Sequence, residues 1–238
     1  MKLKYKRLML KLSGEVLADK SGAGIDFSAV VALANRIKSL NKIGCEIALV
    51  VGGGNFWRYR DNSKCAIERQ DSDTIGMLAT VMNGIIILNA LQAEGIEARV
   101  MSGIAGDVAE IFDSKFARGH LKKGRVVICA GGTGLPFFTT DTAAALRALQ
   151  LNCDVYLKAT KVDGVYDKDP IKHKGAKKFD SLTFGEALEK DLKVMDLTAI
   201  SLCKDNNLPV IVLDYWKKGN LEAVVTGKKV GTVISSKY

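Results

Sequence analysis

The sequence predicts an α/β protein, a three-layer α/β/α sandwich around a mostly parallel central sheet. Three observations carry this expectation. Short apolar runs alternate with helix-like stretches along the whole chain. Several runs are apolar without a polar alternation, as strands covered on both faces must be. Glycine-rich turns follow the runs, at the strand ends where open α/β sheets bind ligands.

In chain order, the first strand is expected at 7–12 (R-L-M-L-K-L), followed by a helix at 27–41 and a strand at 46–51 (E-I-A-L-V-V). A long helix over 74–93, a strand at 97–101, a helix at 114–122 and the strand R-V-V-I-C-A at 125–130 come next. The series closes with a helix at 141–151, a strand at 154–158, a helix at 197–206, a strand at 210–213, a helix at 221–226 and a strand at 232–234. Residues 163–179 are the longest polar stretch and read as a hairpin or flap. No internal repeat or low-complexity linker divides the chain, so 1–238 is read as one domain.

Composition narrows the function classes. With 35 Lys+Arg against 26 Asp+Glu, the chain carries +9, which suits either anionic partners or simply a solubilising surface. The five cysteines, Cys45, Cys65, Cys129, Cys153 and Cys203, are scattered and form no C-x-x-C pair. That argues against a zinc site or a disulfide framework and for a reducing, cytoplasmic setting. The basic N-terminus lacks an apolar signal core, and the apolar segment 75–91 contains Thr80, Asn83 and Asn89. It reads as a buried helix rather than a membrane span. Only His120 and His173 are present, neither at a strand end, and metal-ligand spacing is lacking.

The chemistry gathers at the strand ends. Lys11-Leu12-Ser13-Gly14-Glu15 follows the first strand, Gly52-Gly53-Gly54-Asn55 the second, Gly131-Gly132-Thr133-Gly134 the fourth and Lys158-Ala159-Thr160-Lys161 the fifth. Such turns leave backbone N–H groups free for an anion, although glycines at these places also serve plain sterics. No G-x-x-x-x-G-K-[ST] and no strand-linked G-x-G-x-x-G occurs, which excludes P-loop and dinucleotide folds. Lys11 ends a buried strand, where an ammonium group either meets an anion or snorkels to water. Arg58, after G-G-G-N-F-W, stands where a helix is expected to begin; its guanidinium either grips a phosphate or is solvated. Cations and N–H donors of this kind are what phosphoryl transfer needs.

The motifs K-L-S-G-E (11–15), G-G-G-N (52–55), G-M-L-A-T-V-M-N-G (76–84), G-T-G-L-P-F-F-T-T-D (132–141), K-A-T-K-V-D-G-V-Y (158–166) and K-V-M-D-L (193–197) resemble the bacterial UMP kinases of the amino-acid-kinase superfamily, in that family's order and over nearly the whole chain. The resemblance implies an amino-acid-kinase-like fold and transfer of the γ-phosphoryl group of ATP to UMP, with Mg²⁺ accompanying ATP. It implies that Lys11, Leu12, Ser13 and Gly14 cradle the ATP phosphates with Gly54 and Arg58, and that Thr160, Tyr166 and Asp169 hold the adenosine. Gly53 and Asp73 would contact UMP, Asp73 through the ribose hydroxyls, for which a carboxylate is a suitable acceptor. Thr133, Gly134, Leu135, Pro136, Phe137, Phe138, Thr139 and Thr140 would enclose UMP, with one phenylalanine of the pair anchoring the loop in the core. Lys11, Arg58, Asp141 and Asp196 are the implied catalytic set, Asp141 orienting phosphate-binding lysines. Both aspartates open helical stretches, so each has the alternative of being only a helix cap. Leu135 replaces the asparagine common in this turn. The family is typically homohexameric and often inhibited by UTP, and the helix at 74–93 is a candidate subunit face. Two competing readings share some features: a related kinase acting on a small acid, and a nucleic-acid-binding protein suggested by charge alone. Phe137 and Phe138 have no basic neighbours, which disfavours nucleic acid as a partner.

Overall fold

The structure, a computed structural model, describes residues 2–59 and 66–236. The first half of the chain forms β1 (Arg7–Leu12), α1 (Phe27–Lys42), β2 (Glu46–Val51), α2 (Arg69–Ala93), β3 (Ala98–Ser102), β4 (Glu110–Ile111), α3 (Ser114–Lys122) and β5 (Val126–Ala130). There follow α4 (Thr140–Gln150), β6 (Val155–Thr160), the two-stranded hairpin β7 (Val165–Tyr166) and β8 (Lys178–Phe179), β9 (Ser181–Thr183) and α5 (Phe184–Glu189). The chain ends with α6 (Leu197–Asp205), β10 (Val210–Asp214), α7 (Asn220–Val225) and β11 (Thr232–Ser235).

Nine strands make one sheet in the order β4-β3-β5-β2-β1-β6-β10-β11-β9. All neighbours are parallel except β10 and β11. The period of two along each strand divides the core into two layers. Leu8, Leu10 and Leu12 face the layer covered by α1, α2 and α7, whereas Met9 faces the layer covered by α3, α4, α5 and α6. In α1, Val30, Leu33, Ala34, Ile37 and Leu40 fall on one stripe and are buried, and Asp26 caps the helix by accepting from the Ser28 amide at 2.8 Å.

The thirteen elements expected from the sequence are present within two residues at each end, with one exception. Helix α2 begins at Arg69, five residues before the expected 74. Its first turns are polar and carry no apolar period, and they are joined instead by an Arg69–Asp73 pair. This helix is long and apolar enough to cross a membrane, but it lies along the sheet against α1 and β3. Its inner residues, among them Ala79, Asn83, Ile87 and Leu91, are buried, while Leu78 and Met82 are exposed on its outer face. The helix expected to begin near Arg58 falls on residues 60–65, which lie outside the described ones and include Cys65; the other four cysteines are free. The polar stretch 163–179 does form a hairpin, fastened to the sheet where the Val165 amide donates to the Thr232 hydroxyl at 2.8 Å.

A buried pair of amides ties α2 to the turn after β2. Asn83 donates to the Gly52 carbonyl and to Asn55, each at 2.8 Å, and Asn55 returns a bond to Asn83 at 3.1 Å. Gly231, at the start of β11, is required by sterics. Its φ is +72°, and a Cβ there would lie 2.0 Å from the Val212 carbonyl oxygen. Gly231→Ala should therefore destabilise the protein by more than about 2 kcal/mol in urea unfolding. Gly175→Ala, where a Cβ meets nothing within 4 Å, should shift stability by less than about 1 kcal/mol in the same measurement.

Candidate active site

Alternation along β1 and β6 sends Lys11 and Lys158 to the same face of the sheet, and the parallel register sets them side by side. Each side chain is only 12–15% exposed, so two neighbouring ammonium groups require a shared counter-charge. Asp141 supplies it. Its Oδ1 lies 2.7 Å from Lys11 Nζ and its Oδ2 2.6 Å from Lys158 Nζ. The hydroxyl of the fully buried Tyr156 donates to Oδ1 at 3.2 Å. Burial alone would raise the Asp141 carboxyl, but the two lysines outweigh it and hold it at about 2. Burial in turn pulls the Lys158 ammonium below its ordinary value, with Asp141 opposing.

Asp141 is not a helix cap. Thr139 caps α4, accepting from the amides of Asp141 and Thr142, which leaves the Asp141 carboxylate for the lysines. Asp196 does cap α6, accepting from the Ala199 amide at 2.9 Å. It also receives the hydroxyls of Thr142, at 2.7 Å, and Thr139. The start of α6 is thereby pinned to the start of α4.

Three depressions meet along this strip. One is lined by Gly53, Asp73, Thr133, Leu135, Phe138, Thr139 and Thr140, together with Trp57 and Met77. Thr139 and Thr140 also belong to a second, which contains Asp141, Lys158 and Asp196. Lys158 reaches a third, a cleft lined by Thr160, Tyr166 and Asp169. Gly134, Pro136 and Phe137 do not line the first pocket, and neither phenylalanine anchors in the core: Phe137 is 65% exposed and Phe138 47%. Phe137 adopts a left-handed backbone (φ 69°), and its amide donates to Asp73 Oδ2 at 2.8 Å, holding the loop at the surface. Asp73 is also gripped by Arg69 Nε at 2.9 and 3.0 Å.

Leu12 is fully buried, so only its backbone reaches the strand end. Gly14 is pressed against the next turn: a Cβ would fall 2.5 Å from both the Gly52 carbonyl and Asn55 Oδ1. Arg58 lies in a loop, donating to the Gly54 carbonyl at 2.6 Å and pairing with Glu15 at 3.0 Å, while Lys161 pairs with the same Glu15 at 2.8 Å. The sequence puts Lys158 at a strand end without assigning it a role, and it does not single out Tyr156. The alternation of V-Y-L-K at 155–158 was the available signal, since it puts both on one face.

Residues 6–214 match the amino acid kinase family, and the chain belongs to it. It is similar to the crystal structure of the UMP kinase from Bacillus anthracis, with TM-score 0.95 and 36% identity over 98% of this chain and 97% of that one. It is also similar to the UMP kinase from Ureaplasma parvum (TM-score 0.92, 34% identity, 99% and 100% covered). The uridylate kinase from Archaeoglobus fulgidus matches with TM-score 0.74 and 29% identity over 95% and 99%.

The depressed Asp141 carboxyl makes a pH prediction. Its stabilisation is complete above the ordinary value of 3.8 and is lost as pH falls through about 2. Unfolding followed between pH 5 and 2 should show a loss of about 2 kcal/mol attributable to this group. Asp141→Asn should lack that acid step. At neutral pH it should be destabilised by about 3 kcal/mol, because two lysines stay buried without a counter-charge.

Proposed function

We propose that the chain is a UMP kinase, a single domain that transfers the γ-phosphoryl group of ATP to UMP to give UDP and ADP. The observation that carries this is the lysine pair on Asp141, set between the pocket of Asp73 and the cleft of Tyr166. The sequence motifs and the UMP kinases to which the chain is similar support the same reading.

In this reading the cleft of Thr160, Tyr166 and Asp169 receives adenosine, and the ATP phosphates lie across Lys11, Ser13, Gly14, Gly54 and Arg58. The pocket of Gly53, Asp73, Thr133, Leu135, Phe138, Thr139 and Thr140 receives UMP. A carboxylate has about four acceptor positions, so Asp73 can take ribose hydroxyls beside its bonds to Arg69 and Phe137. The transferring phosphoryl group develops charge on its equatorial oxygens, and Lys11 and Lys158 are placed to stabilise it. Asp141 sets the direction of both ammonium groups. Asp196 acts on the start of α4 through Thr139 and Thr142. Turnover by this route needs little covalent chemistry from the protein.

Mg²⁺ is proposed to enter on the phosphates of ATP, where it neutralises charge. Among the described residues no three His, Cys, Asp or Glu side chains are grouped to hold a cation, and the Asp141 oxygens are engaged by lysines. No step is therefore assigned to a protein-held metal. A homohexamer of dimers is proposed from the resemblance to the family, and the exposed Leu78 and Met82 on α2 support a subunit contact through that helix. UTP shares uracil and ribose with UMP, which supports its proposed inhibition at the same pocket. The free cysteines among the described residues support a cytoplasmic setting, and the proposed formation of UDP supports a role in the supply of pyrimidine nucleotides.

Purified protein with ATP and Mg²⁺, offered UMP, CMP, dUMP and N-acetylglutamate, should release ADP with UMP as the preferred acceptor; turnover of the acid in place of UMP would overturn the reading. Lys11→Ala should lower kcat/KM by roughly 10²-fold or more. Asp73→Asn should raise the KM for UMP and leave that for ATP unchanged, whereas the reverse pattern would exchange the two sites.

A further inference from the structure

Arg147, on α4, is the most deeply buried charged residue among the described ones, at 6% exposure. Its guanidinium meets no carboxylate there: Nη1 donates to Gln150 Oε1 at 2.8 Å and Nη2 to the Gly132 carbonyl at 3.2 Å. Its carbon stands 4.0 Å from the centre of the Phe112 ring, and the buried Nε has no acceptor among the described residues. A buried cation with this little compensation costs stability, and the fold gives no reason to keep it.

What it touches gives one. Gly131, Gly132 and Gly134 all have left-handed backbones, with φ of 67°, 57° and 86°. A run of such glycines is soft unless restrained from outside. On one side Gly103 presses on the turn so closely that a Cβ there would lie 2.9 Å from the Gly132 carbonyl and 3.0 Å from the Gly134 amide. That same Cβ would lie 2.9 Å from Arg147 Nη2. Arg147 thus fills the angle between the β3 and β5 ends, behind the turn, while Gly132 and Thr133 face the acceptor pocket.

We propose that Arg147 is a positioning residue for the acceptor. Through the Gly132 carbonyl it fixes the glycine turn that presents Gly132 and Thr133 to the bound nucleotide. The inference rests on the assignment of that pocket to UMP. It differs from a packing role because methionine would fill the space and remove a desolvation cost, yet leave the Gly132 carbonyl without its donor.

Arg147→Met should raise the KM for UMP about tenfold while kcat and the KM for ATP change less than about twofold. The melting temperature should hold or rise. Hydrogen exchange of the amides at 131–135 should accelerate while the rest of β5 stays protected. Arg147→Lys keeps the charge but loses the fork, and should give an intermediate KM for UMP; it decides the matter by the same measurements if the methionine variant does not fold. An unchanged KM for UMP with unchanged exchange would overturn the proposal. So would a lower melting temperature with both KM values rising together. The two readings fail separately: wild-type protein without UMP turnover removes the substrate assignment, whereas the exchange of 131–135 still decides the role of Arg147.

Discussion

Two lysines placed on neighbouring parallel strands, at equal height and on one face, repel each other in surroundings that screen poorly, and Asp141 makes that placement tenable. The constraint reaches outward through the fold. Asp141 must start a helix without being used as its cap, so Thr139 takes the cap and Asp141 follows two residues on. The helix must then begin at a fixed height over β1 and β6, and Asp196 secures this by binding the hydroxyls of Thr139 and Thr142 from α6. A single buried carboxylate therefore dictates where two helices start.

The same arrangement explains why the three depressions are continuous. The sheet brings the ends of β1, β2, β5 and β6 together, and those of β1, β2 and β5 open into glycine-containing turns that leave room for their neighbours. The cationic strip then falls at the junction, between a pocket with aromatic and hydroxyl walls and a cleft beside the hairpin. The proposed phosphoryl transfer needs this order of parts more than it needs any reactive side chain.

The fold was largely legible because its signals are local. Strands buried on both faces read as unbroken apolar runs, and β5 is an example with every residue buried. The two-residue strand β4 has both residues exposed, so no apolar pattern announces it. Helix α5 was overlooked although T-F-G-E at 183–186 forms a capping box in the structure; its six residues are too few to show a period. At the site, Lys11 and the glycine turns were readable, since a lysine in an apolar run and glycines after it are anomalies of sequence. The partnership of Lys11 with Lys158 was not, because it depends on the register of strands 147 positions apart in the chain. The placement of Phe137 and Phe138 was misjudged for a related reason. Their exposure follows from a bond between a backbone amide and Asp73, 64 residues away, and no property of the two aromatics encodes it.

Thr139 and Thr140 form a common wall between the acceptor pocket and the lysine strip. Enlarging the pocket from that side would remove the cap of α4 and loosen Asp141, so this wall is closed to mutational drift. Trp57, Tyr59 and Met77, which also line the pocket, neither cap α4 nor touch Asp141. A lineage exploring new acceptors would find its viable variation there, and the chemistry of transfer would be inherited unchanged while the choice of acceptor diverged.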